Sequence, residues 1–86
     1  MMNYTLLPSG LRGGVQQWIE EGIQPGGFLS AVIENDLRES LGRAYETNRA
    51  RIFEIVSFFY NEAPSPCWGS VKNARAWADK FERDWE

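Results

Sequence analysis

The chain contains no histidine and a single cysteine, Cys67, in 86 residues. Without histidine it lacks the side chain most often used as a general base near neutral pH and as a nitrogen ligand for metals. Every Ser-His, Cys-His and His-carboxylate catalytic unit goes with it. One cysteine forms no internal disulfide and builds no thiolate-rich zinc site. No metal and no cofactor are therefore expected. Positive charge is also short: 9 Lys and Arg stand against 12 Asp and Glu, for a net charge of −3. Proteins that grip duplex DNA by its phosphates present a clustered basic surface, so duplex DNA is not an expected partner. No stretch approaches the roughly 18 apolar residues of a membrane span. The segment Met1–Pro8 has neither the basic start nor the apolar run of a signal peptide. The expected location is the cytoplasm, with no membrane contact.

What the chain has in quantity is apolar and aromatic surface: 43% of residues are hydrophobic and 14% aromatic. A chain this short buries only about 60–65% of the surface its unfolded form exposes. One domain over residues 1–86 is the expectation. Aromatics supply large buried areas, and a surplus of them is expected to close a homo-oligomer.

The apolar spacing is helical. Pro8 and Ser9 mark a helix start, Leu11, Val15, Trp18 and Ile19 form one stripe, and Gly22 ends the element. Gln24-Pro25-Gly26-Gly27 reads as a turn. A second helix is expected from Phe28 to Gly42, with Leu29, Val32, Ile33, Leu37 and Leu41 facing inward. A third, capped by Thr47, runs to about Asn61 or Ala63 and is apolar over most of its circumference. It should be central, or face another chain. Pro64 and Pro66 break the chain, and Ser70 caps a fourth helix carrying Ala74, Trp77, Ala78, Phe81 and Trp85. Tyr4, Leu6 and Leu7 suit an extended arm or one short strand. No segment alternates with period two over four or more residues. The fold class is all-α: a small bundle of about four helices with short Gly- and Pro-containing connections.

Three polar clusters interrupt this pattern. Glu34-Asn35-Asp36 places an amide and a carboxylate within an apolar helix, with Asn35 and Asp36 toward its buried side. They would line a pocket, or Asp36 would pair with Arg49 or Arg51 or cap a neighbouring helix. Arg43, Arg49 and Arg51, with Thr47 and Asn48, gather around one helix start, where forked guanidinium groups could hold phosphate. Tyr60 and Asn61 lead into a rigid loop bearing Trp68, which either staples the loop to the core or offers a stacking surface for a ring. Gly26-Gly27 is not a P-loop, because no Gly-Lys-Ser/Thr follows. Cys67, with no histidine to activate it, reads as a buried or loop thiol.

Three segments carry a resemblance. They are Pro25-Gly26-Gly27-Phe28 through Glu34-Asn35-Asp36-Leu37, Gly42-Arg43-Ala44 through Glu46-Thr47-Asn48-Arg49, and Tyr60-Asn61-Glu62-Ala63-Pro64 through Cys67-Trp68-Gly69-Ser70. Together, over roughly residues 6 to 72, they resemble a family of small, mostly uncharacterised proteins of tailed bacteriophages and prophages. An acidic residue is usual in that family where this chain has Tyr45, so Tyr45 is a departure. The resemblance implies an accessory protein acting in the bacterial host by binding, of the counter-defence type. The expected function is then non-enzymatic sequestration of a small anionic, nucleotide-derived host signal. Arg49, with Arg43 or Arg51, would hold phosphate. Tyr60 or Trp68 would stack on a ring, and Asn35, Asp36, Asn48 and Asn61 would read polar edges. The alternative is an inhibitor or adaptor that meets a host protein through Trp77, Phe81 and Trp85, or through Phe53 and Phe58. A hydrolase using Asp36 and Glu62 is a third, weaker reading.

Overall fold

A computed structural model describes residues 2–86, which hold six α-helices, two single-turn 3-10 helices and no strand. The helices are α1 (Ser9–Glu21), α2 (Gly27–Ile33), α3 (Leu37–Arg43), α4 (Glu46–Ala50), α5 (Ile52–Asn61) and α6 (Val71–Lys80). The all-α class is as expected. The count exceeds four because two of the expected helices are each broken in the middle.

The break between α2 and α3 falls on the polar triplet. Asn35 has φ of 61°, a left-handed conformation that asparagine tolerates better than most residues. Asp36 then caps α3, its carboxylate accepting from the Glu39 N–H at 3.1 Å, while its carbonyl accepts from the Ser40 hydroxyl at 2.7 Å. The change of direction takes Leu37 and Leu41 out of the expected core face; they are 65% and 44% exposed. Asn35 is exposed as well, so the expectation that Asn35 and Asp36 lie toward a buried side is corrected. The second break is at Arg51, which leaves helical geometry (φ −111°, ψ 10°) and separates α4 from α5. Tyr45, not Thr47, precedes the first turn of α4.

The ends of the chain also depart from expectation. Tyr4–Leu6 is a 3-10 turn rather than an arm or strand. Arg12 fixes it by donating from Nε to the Leu7 carbonyl at 3.0 Å and from Nη2 to the Thr5 carbonyl at 3.2 Å. The last helix ends at Lys80, before the expected stripe is complete. Glu82 has φ of 59°, and the Arg83 N–H closes onto the Ala78 carbonyl at 3.0 Å. The chain reverses there and returns Trp85 to the core. Ser70 caps α6 as expected, its hydroxyl accepting from the Asn73 N–H at 3.0 Å.

One buried cluster joins residues from Leu7 to Trp85, and the radius of gyration is 11.7 Å, close to the roughly 12 Å of a compact chain this long. Its centre is a set of indoles. The Trp18 ring is fully buried and donates to the Cys67 carbonyl at 3.0 Å. The Trp77 indole donates to the Trp18 carbonyl at 3.1 Å. The Trp85 indole donates to a Glu34 carboxylate oxygen at 2.8 Å, and its ring lies 5.0 Å from that of Trp18. Each large aromatic thus buries its body and keeps its one donor satisfied.

Cys67 belongs to this core. It is fully buried, and burial pushes its thiol from 9.0 up to about 12. Only the unfolded thiol ionises between those two values, so its contribution to stability is complete below about pH 9 and is lost as pH climbs toward 12. The expected decline is at most about 1.4 kcal/mol per pH unit. Tyr4 adds to the same trend at higher pH, because burial and then its hydrogen bond to Glu20 raise its phenol above 10.0. Urea midpoints measured below and within that window check the effect. The wild type should lose stability more steeply than Cys67→Ala, which has no thiol to ionise.

Candidate functional site

An open groove of about 700 Å³ lies between α1, the turn before α2 and the α3–α4 junction. Three parts of the sequence meet on it: Gly10, Leu11, Gly14 and Gln17 of α1, the Gln24–Leu29 turn and helix start, and Arg43, Tyr45 and Asn48 across the α3–α4 junction. Its volume lies within the range of small-molecule sites, roughly 300–1,000 Å³. The floor is small-residue backbone. Proline fixes the turn at Pro25, and Gly26 and Gly27 keep side chains out of the groove. The Arg43 guanidinium lies directly over Gly27, where a Cβ would come within 2.9 Å of Arg43 Nη1.

The walls are polar groups of unequal availability. Gln24 is committed to structure: its amide donates to the Ser30 hydroxyl at 3.3 Å and to the Glu86 carbonyl at 3.2 Å, and accepts from the Glu86 N–H at 3.0 Å. Arg43 donates from Nε to Glu39 at 3.1 Å, one helical turn back. That pair is exposed, so it orients the side chain more than it stabilises the fold, and it leaves the terminal guanidinium nitrogens free to donate. The side chains of Gln17, Tyr45 and Asn48 make no hydrogen bond within the described residues. Tyr45 is 81% exposed and lies on the rim. A second groove of about 450 Å³ adjoins the first, sharing Gly10, Leu11, Tyr45 and Asn48, and adds Thr47 and Arg51. The two grooves together carry one cation each and share an unpaired aromatic rim.

No family model, no curated protein and no solved structure matches this chain.

The nine ligand residues expected from sequence do not form one site. Arg43 and Asn48 share the large groove, and Asn48 and Arg51 share the adjoining one. Asn35, Asp36 and Trp68 line a separate cavity of about 150 Å³ with Val32, Ile52 and Val56. Trp68 there packs its ring 5.5 Å from Phe59, and the next residue, Gly69, donates its N–H to the Ile33 carbonyl at 2.7 Å. That arrangement fits the staple rather than the stacking role. Asn61 lines a third cavity, beside Leu6 and Phe53. Tyr60 points to solvent, and Arg49 lines none of these cavities, donating instead to the Leu41 carbonyl at 3.3 Å. Asp36 and Glu62 lie on different cavities. Of the aromatic residues expected to meet a host protein, Trp77, Trp85 and Phe58 are buried and Phe81 is half-buried over Gly22; Phe53 alone is free.

Sequence reasoning missed Tyr45 and Gln17. Tyr45 had a signal: it is a bare aromatic in a polar junction, next to the Arg43 and Asn48 already singled out. Gln17 had none, since a glutamine on the polar side of an amphipathic helix is what solvent exposure alone produces.

Proposed function

We propose that this is a non-enzymatic binding protein that holds a small anionic, nucleotide-like ligand in the groove between α1, the Pro25–Phe28 turn and the α3–α4 junction. The observation that carries the reading is convergence. Pro25-Gly26-Gly27-Phe28 and the Arg43–Asn48 segment, far apart in sequence, line the same groove. The terminal nitrogens of Arg43 would take a phosphate or carboxylate, a geometry guanidinium groups suit. Tyr45 would stack on a ring, with Asn48 and Gln17 reading polar edges. Arg51 extends the same chemistry into the adjoining groove. With the phage resemblance, the ligand class becomes a nucleotide-derived host signal, and the action is sequestration in the host cytoplasm.

Thermal unfolding against nucleotides, cyclic dinucleotides and NAD-derived molecules tests this. A ligand at a hundred times its dissociation constant adds about 2.7 kcal/mol. In a domain this small each kcal/mol moves the midpoint by about 4–8 °C, so the expected rise is about 10 °C or more. Arg43→Ala and Tyr45→Ala should lose most of that rise while unfolding unliganded at nearly the wild-type temperature. Arg49→Ala should retain it. A panel with no shift, or a shift that survives both groove variants, sinks the proposal.

A further inference from the structure

We infer that the segment after α6, Phe81–Glu86, is a strap that holds Pro25, Gly26 and Gly27 in place beneath Arg43, with Gln24 as the positioning residue; this rests on the reading of that groove as a ligand site. The strap acts on ligand affinity, not on whether the chain folds.

Pro25, Gly26 and Gly27 line the groove, and none of the three has a side-chain donor or acceptor. Gly26 and Gly27 are exposed, and a Cβ at Gly26 would meet nothing within 4 Å. The turn is therefore held by its neighbours. Ser30 donates its hydroxyl to the Pro25 carbonyl at 3.0 Å, and Gln24 donates to that hydroxyl at 3.3 Å. The Gln24 amide also reaches the backbone of Glu86, donating to its carbonyl at 3.2 Å and accepting from its N–H at 3.0 Å. One chain of hydrogen bonds runs from the strap to the floor of the groove.

The strap is anchored independently of that chain. Phe81 packs on the bare Cα of Gly22, and Glu82 reverses the backbone with φ of 59°. Trp85 is buried against Trp18 and donates to Glu34 at the C-terminal end of α2. Glu86 meets Gln24, just before the other end of α2, so two adjacent strap residues brace both ends of one seven-residue helix. Gln24, Pro25, Gly27 and Arg43 line the ligand groove and also a cavity of about 330 Å³ that holds Glu34 and Glu86. The turn is a partition, with the strap behind it and the ligand site in front.

Two observations separate positioning from plain stabilisation. Glu86 is exposed, and a hydrogen bond open to water adds little net stability; the buried anchor is Trp85, one residue earlier. Gly27 lies so close to Arg43 that a Cβ there would sit 2.9 Å from Nη1. A small shift of the turn therefore changes how the guanidinium meets the floor, and binding groups work only when supporting bonds hold them to within about 0.5 Å.

The comparison of Glu86→Pro with Glu86→Ala tests this. Both lose the carboxylate, but only proline loses the N–H that Gln24 accepts. Thermal midpoints should match. In ligand-free amide NMR spectra, Gly26 and Gly27 should move in Glu86→Pro and stay at their wild-type positions in Glu86→Ala. Titrated with adenosine diphosphate, the proline variant should bind several-fold more weakly than the alanine one. Gly26 and Gly27 signals that are the same in both variants overturn the strap, as does equal affinity for adenosine diphosphate in a wild type that binds it. A wild type that binds no nucleotide, with Gly26 and Gly27 still displaced by Glu86→Pro alone, supports the strap and counts against the ligand reading.

Discussion

Trp18→Ala is expected to cost about 3–5 kcal/mol, the largest effect of any single change in this chain. Trp18 is fully buried and makes three kinds of contact at once. Its indole donates to the Cys67 carbonyl, its ring meets Trp85 at 5.0 Å, and its own carbonyl accepts from Trp77. Truncation removes the first two, while the Trp77 bond to the backbone carbonyl keeps its acceptor, and it leaves the Cys67 carbonyl buried without a partner, itself a cost of about 1–3 kcal/mol. Against a total of about 5–15 kcal/mol for a domain, the loss is a large share of the stability available. Trp18→Phe separates the parts. It keeps most of the ring and loses only the donor, so it should fall about 1–3 kcal/mol below wild type. Urea midpoints for both variants check the pair. Equal losses would mean that the hydrogen bond, not the ring, carries the effect.

Gly22→Ala is the second large effect, and it arises in the backbone. Gly22 ends α1 with φ of 68°, which costs a residue with a Cβ about 1–2 kcal/mol. The Phe81 ring lies against the bare Cα, so a Cβ there would sit 2.6 Å from Phe81 Cδ2 and 2.7 Å from Phe81 Cβ. Because the Phe81 Cβ cannot swing away as a side-chain tip can, the turn after α6 has to shift, which adds about 1–3 kcal/mol. The expected total is about 2–5 kcal/mol. A cycle with Phe81→Ala divides it. In the Phe81→Ala background the cost of Gly22→Ala should fall toward the backbone part alone. A cost unchanged by removing the ring would show that the contact is not the cause.

Legibility in the sequence followed how local each signal was. Gly22, Ser70 and the stripes of α1 and α6 are local, and they marked those helices directly. The break at Asn35 was hidden because Leu37 and Leu41 continue the four-residue rhythm of Leu29 and Ile33. The contrary signal was present: an asparagine suited to the left-handed region, then Asp36 with Glu39 three residues on, a pattern that opens a helix. Periodicity outweighed it, and the two leucines were placed inward although they face solvent. The fold-back of Trp85 was beyond local reading, since its spacing from Phe81 is what a continuous helix also gives. For the groove, Arg43 and Asn48 were found as polar residues at a junction. Residue type could not say that α1 and the Pro25 turn would complete the site, nor that the break at Arg51 would leave Arg49 outside it.

The indole bonds also bear on how the chain is made. They join positions 49, 59 and 51 residues apart. A ribosome adds about 5–20 residues per second, so Trp18 emerges several seconds before Cys67 and Trp77 exist to cover it. Over that interval the nascent N-terminal half carries a bare indole and an incomplete core. It is the stretch on which a holding chaperone would act, and its vulnerability ends when the C-terminal helix arrives.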